Sequence, residues 1–187
     1  MSDRQHWESR YAAAADGTRA PSSFLVAQRH RLPRGRALDL ACGDGRNALA
    51  LARHGWRVEA IDFAHAGLAR LLALARREEM SLDVLAADLE QFPLPTDRYD
   101  VVVNCRYLQR SLCGAITASL RSGGMVVFET FIRDQATLGH PRNPAFLLER
   151  GELSSLFREL AIVEHEEGRF ETESGPAFLA RLVARKP

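Results

Sequence analysis

The chain has 187 residues, 46% of them hydrophobic and 26% charged, and its formal net charge is +1 at pH 7. This length and balance are typical of one soluble globular domain and exclude a fibrous or intrinsically disordered chain. The near-neutral charge disfavours nucleic acid or an anionic membrane as a partner. No apolar run approaches the roughly 20 residues of a membrane span, and the first residues include no apolar leader, so we expect a cytoplasmic protein without membrane association.

The three cysteines, Cys42, Cys105 and Cys113, show none of the paired spacings of a metal site. An odd number without a secretion signal also disfavours a disulfide framework. We therefore expect reduced thiols and no bound metal.

The segment before residue 35 predicts two helices that cover the rest of the domain. These are residues 2–15 (SDRQHWESRYAAAA) and residues 22–32 (SSFLVAQRHRL). Trp7, Arg10 and Tyr11 share one face of the first helix. Core packing and a cover over a substrate explain that face equally well.

From residue 37 onwards, short apolar runs alternate with segments of helical periodicity, which is the pattern of an α/β sheet with helices on both faces. The predicted strands are 37–41, 57–62, 82–86, 100–105 and 125–131, and the predicted helices are 47–54, 65–79, roughly 109–121 and 151–160. The Gly123-Gly124 pair predicts a turn. This order predicts a doubly wound, mostly parallel sheet.

The C-terminal part begins with a long, proline-containing connection over residues 132–150. Loops of this length often act as lids, so we expect a flap over the site. Residues 161–171 and 177–186 are strand-like and predict an antiparallel pair at one edge of the sheet. We predict a single domain, 1–187, made of an N-terminal cover (1–34), a cofactor-binding core (35–131), the flap (132–150) and a C-terminal helix with the strand pair (151–187).

The stretch ALDLACGDGRNALALA, residues 37–52, ends a strand and begins a helix around two glycines. Gly43 and Gly45 suit a sharp turn and a close approach to a ligand, because they have no Cβ. The free N–H groups of the helix that begins near Arg46 suit carboxylate, hydroxyl or phosphate oxygens. Since ligands of open α/β sheets bind at the carboxyl ends of the strands, this loop predicts the ligand-binding face.

Two cofactor classes compete for this loop. GDGRNA fits the dinucleotide pattern G-x-G-x-x-G/A, and Asp62 ends the next predicted strand, where a ribose-binding acid would lie. Asp39 indicates a different cofactor, because a carboxylate buried in a strand suits a cationic ligand and is costly without a partner.

Five segments in order resemble the class I S-adenosylmethionine-dependent methyltransferases: ALDLACGDGRN, VEAIDFA, AADLEQFPL, YDVVVNCRYL and LRSGGMVVFETF. The resemblance covers about residues 35–131. More narrowly, HWESRY and ETFIRDQATLGHPRNPAFLLERGEL resemble the small TehB-like (tellurite-resistance) and thiopurine-like branch. The resemblance implies a seven-stranded Rossmann-like sheet with an antiparallel edge pair, S-adenosyl-L-methionine as the cofactor, and a small-molecule substrate bound by a monomer or homodimer.

The resemblance also implies roles for residues around the cofactor. Asp39 and the loop backbone would hold the methionyl end, Asp62 would accept the ribose hydroxyls, and Asp88 would bind the adenine amino group. The implied cofactor-binding set is Asp39, Ala41, Gly43, Gly45, Asn47, Asp62, Phe63, Asp88, Leu89, Asn104 and Cys105. In this chain Ala41-Cys42 replaces the first glycine of the fullest form of the motif.

The acceptor side is less specified, and the catalytic candidates are His140, Arg106 and Tyr107. Arg106, Arg133 and Arg142 would hold an anionic acceptor or would form surface ion pairs. NCRY lacks the Asn/Asp-Pro-Pro run that resembles amino-methylating enzymes, which disfavours an exocyclic base amine.

We expect a small, anionic or soft-nucleophile acceptor, because a thiolate or a chalcogen oxyanion needs no protein base. An NAD-type dinucleotide-binding protein and a non-catalytic methyltransferase-fold binding protein are the alternatives.

Overall fold

The computed structural model describes residues 3–13 and 19–187. The α-helices in these ranges are α1 Asp3–Ala12, α2 Ser23–Gln28, α3 Arg46–Arg53, α4 His65–Arg77, α5 Leu112–Ser119, α6 Gln135–Leu138 and α7 Glu152–Leu156, with 3-10 turns at Arg29–Arg31 and Pro144–Phe146. The strands are β1 Arg36–Leu40, β2 Arg57–Asp62, β3 Asp83–Ala86, β4 Tyr99–Cys105, β5 Leu120–Phe131, β6 Ala161–Thr172 and β7 Gly175–Arg185.

The strands form one sheet in the order β3-β2-β1-β4-β5-β7-β6. The strands β1 to β5 pair in parallel, whereas β7 is antiparallel to both β5 and β6. The predicted doubly wound, seven-stranded sheet with an antiparallel edge pair is therefore confirmed. The strand order reverses between β1 and β4, and open α/β sheets bind ligands in the crevice at such a point.

The central strands pack against helices on both faces. On one face Val102 and Phe128 belong to a core with Ile116 of α5. On the other face Val103 belongs to a second core with Leu49 of α3. Strands that are buried on both faces consist almost entirely of apolar residues. The central strands could therefore be predicted from their apolar runs.

The start of β5 differs from the prediction. The helix predicted over 109–121 is shorter, and Leu120 already belongs to β5, where it pairs with Tyr99. The register then shifts, so the Gly123-Gly124 pair forms a bulge within a strand rather than a turn. A Cβ at Gly124 would lie 2.9 Å from the carbonyl oxygen of Tyr99, so this position needs glycine for the close approach of two strands.

The ends of the other helices differ from the predicted ends by fewer residues than the start of β5 does. The predicted helix over 65–79 ends at Arg77, and the one predicted over 151–160 is the five-residue α7. The second N-terminal helix divides into α2 and a 3-10 turn. Residues 2, 14 and 15 of the first predicted helix lie outside the described residues. Among the described helices, none is both long and apolar enough to cross a membrane.

Candidate active site

The loop between β1 and α3 turns through three residues with left-handed backbone conformations. Ala41, Gly43 and Gly45 have φ values of 50°, 58° and 79°. A Cβ at Gly43 would lie 2.1 Å from the hydroxyl oxygen of Tyr11, and a Cβ at Gly45 would lie 2.2 Å from Leu71. Both glycines are therefore needed for the turn and for the close packing of α1 and α4 against it.

Asp39, near the end of β1, is a buried carboxylate beneath this loop. It is 1% exposed, and its Oδ2 accepts a hydrogen bond of 2.9 Å from the Ala48 backbone N–H. Burial raises the pKa of Asp39 to about 7, although the Ala48 hydrogen bond and the charge of Arg46 act in the opposite direction. A cation beside Asp39 would favour its ionised form.

Asp62 ends β2, the next strand towards the edge. Its Oδ2 accepts from the Gly43 N–H and its Oδ1 accepts from the Ala64 N–H, both at 2.8 Å. Burial raises the pKa of Asp62, and hydrogen bonds from the backbone N–H groups of Ala64, Gly43 and Phe63 oppose the increase. The carboxylate is thus held by backbone donors at the end of β2, and its remaining acceptor capacity can bind a hydroxyl group of a ligand.

Asp88 follows β3 and is half-buried; its Oδ1 accepts a hydrogen bond of 3.0 Å from the Glu90 N–H. Leu89 is buried beside it and Phe63, after β2, is half-buried. The structure thus places one acid at the end of β2 and another shortly after β3, at the strand ends where the sequence analysis expected them.

Tyr107 lies close to these acids. Its hydroxyl donates to Oε1 of Gln109 at 2.6 Å. Burial, together with the nearby carboxylates of Glu90, Asp88 and Asp62, raises the pKa of Tyr107 to about 12. Tyr107 is therefore neutral at physiological pH and a poor general base.

The end of β4 contributes an open hydrogen-bond acceptor. Asn104 is 1% exposed and its Nδ2 donates to the Tyr107 carbonyl oxygen at 2.8 Å. Its Oδ1 is buried and has no hydrogen-bond partner among the described residues. Since buried polar atoms are nearly always paired, this oxygen indicates a place for a donor from a ligand. Burial also raises the pKa of the neighbouring Cys105 thiol.

The N-terminal helix α1 covers the glycine loop. The Glu8 carboxylate accepts from the backbone N–H groups of His65 at 2.7 Å and Ala66 at 2.9 Å, which ties α1 to the start of α4. This contact places Tyr11, 8% exposed, over Gly43. The shared helix face that the sequence revealed is thus a cover as well as a packing surface.

Two further side chains hold this cover, and the sequence did not single out either of them. Arg19 donates to Asp44 through Nη2 at 2.8 Å and through Nε at 3.0 Å. Asp44 lies between the two glycines of the loop and is 2% exposed. A bidentate pair of this kind fixes the segment after α1 against the loop.

The start of α3 faces the cover and the C-terminal hairpin. The Asn47 Oδ1 accepts from the Ser22 N–H at 2.9 Å. Arg46 donates to the Ala20 carbonyl oxygen at 3.2 Å and forms a buried ion pair with Glu173, at the tip of the β6–β7 hairpin. The side chain of Asn47, predicted to bind the cofactor, is thus engaged with the N-terminal cover.

A buried ionic cluster lies next to Cys105, on the face of the sheet to which the Cys105 side chain belongs. Glu129 of β5 is fully buried and pairs in register with Cys105 on one side and Arg181 of β7 on the other. Its Oε2 accepts from Arg181 Nε at 2.8 Å, and its Oε1 accepts from Arg106 Nε at 3.2 Å and from Ser22 Oγ at 3.4 Å. Of the four residues joined by these hydrogen bonds, sequence reasoning identified only Arg106 as a candidate.

Among the described residues, none of the three candidate side chains of the flap forms a hydrogen bond or ion pair with this cluster. A parallel bridge between Ile132 and Leu148 closes the base of the flap. His140 and Arg142 are exposed, and Arg133 is exposed and forms an ion pair with Glu149. These three predicted residues therefore lie apart from Arg106 in the structure.

Residues 37–124 match the model of a family described as a methyltransferase domain. Just under half of the chain is thus similar to a methyltransferase domain. The matched range begins in β1 and ends in β5, so it includes the glycine loop, Asp39, Asp62 and Asp88.

Two curated relatives match parts of the chain. Hemagglutinin 1 of Eikenella corrodens is 30% identical in an alignment of 141 residues that covers 71% of this chain and 46% of that protein. Malonyl-[acyl-carrier protein] O-methyltransferase of Serratia marcescens is 30% identical in an alignment of 127 residues that covers 64% of this chain and 48% of that protein. The chain thus spans about half the length of the curated relatives it matches.

Solved structures share the fold. TehB from Haemophilus influenzae superposes with a TM-score of 0.75 and 21% identity, over 98% of this chain and 67% of that one. An S-adenosylmethionine-dependent methyltransferase from Mesorhizobium loti has a TM-score of 0.70 and 22% identity, over 86% of this chain and 96% of that one. The predicted class I methyltransferase fold is confirmed, and nothing favours the dinucleotide-binding alternative.

Proposed function

We propose that the protein is an S-adenosylmethionine-dependent methyltransferase that acts on a small, anionic or soft-nucleophile acceptor. One observation carries the proposal: Asp39, Asp62, Asp88 and Asn104 follow one another at the carboxyl ends of β1 to β4. Because these strands are neighbours in the order β3-β2-β1-β4, the four polar groups form one row across the crevice.

The groups in this row suit the parts of the cofactor. Asp39, whose ionised form needs a cation, would hold the methionyl ammonium group. Asp62 would accept hydrogen bonds from the ribose hydroxyls, and Asp88 with the Leu89 backbone would bind the adenine amino group. Phe63 would pack beside the adenine. When bound, S-adenosylmethionine supplies a methyl group activated by its sulfonium.

The residues of this chain would then bind, orient and exclude water, which are effects that can account for about 7–11 kcal/mol of a barrier. Tyr11 and α1 cover the loop side of the crevice. Burial raises the pKa of both Cys42 and Cys105, so neither thiol is a thiolate near neutral pH. His140 is exposed and Tyr107 stays protonated, so an acceptor that is already anionic fits this site best.

The comparisons support this acceptor class without naming the acceptor. The Serratia marcescens relative is named for O-methylation of malonyl-[acyl-carrier protein], which is an anionic acceptor, but the match covers only 48% of that protein and does not carry its acceptor over to this chain. An NAD-type protein is disfavoured by Asp39, because NAD offers no ammonium group for a carboxylate buried at that position.

Calorimetric titration tests the proposal. S-adenosylmethionine and S-adenosylhomocysteine are expected to bind, and NAD is not. Release of S-adenosylhomocysteine is then measured with a malonyl thioester, a small thiol and tellurite as acceptors. Binding of NAD without binding of S-adenosylhomocysteine would reject the proposal, and cofactor binding without turnover of any acceptor would favour the non-catalytic alternative.

A further inference from the structure

We propose that Arg106 and Arg181 bind a carboxylate group of the acceptor, so that the substrate class is a carboxylic acid. The inference rests on the proposed function and deepens it. Its starting point is an excess of buried positive charge: two guanidinium groups share the single carboxylate of Glu129. Their side chains are 18% and 10% exposed, and that of Glu129 is 1% exposed.

The two arginines also have unused hydrogen-bond donors. Nη2 of Arg106 and Nη2 of Arg181 are both buried, and neither has a partner among the described residues. Nearly all buried polar atoms of native proteins are paired, and an uncompensated buried charge is more costly still. Two other ion pairs of this region each match one cation with one anion: the buried pair of Arg46 with Glu173, and the pair of the half-exposed Arg19 with the buried Asp44.

The position of the cluster suits an acceptor. Cys105, Glu129 and Arg181 are consecutive partners across β4, β5 and β7, so the cluster lies beyond Asn104, at the far end of the row that begins with Asp88. Arg106 has a φ of 65°, which turns the chain directly after β4 and lets its backbone N–H donate to the Glu129 carbonyl oxygen at 2.7 Å. The arginines are therefore next to the end of the crevice opposite the proposed adenine side.

Aromatic rings fix the planes of both guanidinium groups. Arg106 lies 4.8 Å from the centroid of Phe131, and Arg181 lies 4.0 Å from the centroid of Phe170. Stacking occupies a face of each group and leaves its N–H edges available. A planar carboxylate matches such edges and would add a negative charge where two guanidinium groups share the buried Glu129. Glu166 of β6, the register partner of Arg181, is exposed and forms no ion pair with either arginine among the described residues.

The carboxylate could also come from the methionyl end of the cofactor. We assign it to the acceptor because Asp39, the proposed ammonium partner, lies on β1, whereas the cluster lies on the β5 and β7 side of β4. The two sources make different predictions for cofactor affinity, so a binding experiment separates them.

The experiment uses the full chain saturated with S-adenosylhomocysteine. Acetate, malonate and benzoate are titrated by calorimetry, each against its uncharged amide and against chloride at equal ionic strength. We expect at least one carboxylate to bind while its amide and chloride do not. Arg181→Met and Arg106→Met should each weaken that binding about 10- to 100-fold. Arg181→Lys should lose less than Arg181→Met.

Controls keep the outcomes distinct. Arg169→Met removes an exposed arginine of β6 that pairs with Glu171, and it should bind the carboxylate like the wild type. Circular dichroism establishes that each variant is folded, and Arg181→Lys keeps the test valid if Arg181→Met does not fold.

Three results would overturn the inference. The first is a cofactor-bound protein that binds no acid better than its amide or chloride, which would leave the proposed function standing. The second is a loss of S-adenosylhomocysteine affinity in the two Met variants equal to the loss of carboxylate affinity, which would assign the arginines to the cofactor. The third is no cofactor binding by the wild type, in which case the proposed function fails as well.

Discussion

Replacement of Asp39 by Asn should change how the stability of the protein depends on pH. Asn keeps the size of the side chain and an oxygen that can accept from the Ala48 N–H, but it cannot ionise. In the folded wild type, burial holds the pKa of Asp39 at about 7, compared with an ordinary value of 3.8. Below pH 4 the carboxyl is protonated in both the folded and the unfolded chain and contributes no difference.

As the pH rises from 4 to 7, the unfolded chain releases the Asp39 proton and the folded chain retains it. The free energy of unfolding therefore falls by up to 1.36 kcal/mol per pH unit, and by about 4 kcal/mol in total. Above pH 7 this contribution is constant. We expect Asp39→Asn to gain about 4 kcal/mol relative to the wild type between pH 4 and pH 8, and also to weaken binding of S-adenosylhomocysteine.

Urea unfolding at several pH values measures the difference between the variant and the wild type. Other titrating groups largely cancel in this difference. Glu152→Gln provides a control of opposite sign, because the hydrogen bond from Arg110 lowers the pKa of Glu152. Its stabilising effect is present above pH 4.5 and is lost in acid. A difference between Asp39→Asn and the wild type that is the same at pH 4 and pH 8 would refute the reasoning.

Three further predictions concern the loop and its cover. Asp62→Ala should weaken binding of S-adenosylhomocysteine about 10- to 100-fold in a folded protein, and an unchanged dissociation constant by calorimetry would remove Asp62 from the ribose site. Gly43→Ala should lower the free energy of unfolding by at least about 1 kcal/mol, because φ is 58° and the new methyl group would collide with Tyr11; a melting temperature equal to that of the wild type would contradict this. Glu8→Gln should speed hydrogen exchange in residues 3–12, since one amide oxygen cannot replace both carboxylate acceptors, and unchanged exchange would show that other contacts hold α1.

The parallel part of the fold could be predicted because its strands are buried on both faces. Sequences such as VVVN and MVVF leave little alternative to a central strand, and the acids that follow the strands then identify the ligand edge. The start of β5 could not be predicted in the same way. Gly123-Gly124 is typical of a turn, and only the pairing of Leu120 with Tyr99 reveals a bulge within a longer strand.

The ionic cluster around Glu129, which we propose binds the acceptor, could not be recognised from the sequence because its members are far apart along the chain. Glu129 and Arg181 are 52 residues apart, and no local motif joins them. A weaker signal was present: each is the one charged residue within an apolar strand segment, in MVVFETF and in AFLARLVA. A buried charge in each of two strands of one sheet predicts an ion pair, although the register that makes them partners needs the structure.

The positions of the proposed cofactor-binding and acceptor-binding residues along the chain indicate which segments determine the choice of acceptor. The proposed cofactor groups Asp39, Asp62 and Asp88 all lie within the matched range 37–124, whereas Glu129 and Arg181 lie after it. Ser22, which donates to Glu129, lies before it. A domain that keeps its cofactor groups in the shared core can exchange acceptors by changing the flanking segments. The N-terminal cover and the C-terminal hairpin are therefore the parts of the chain in which substitutions should alter acceptor choice while cofactor affinity is retained.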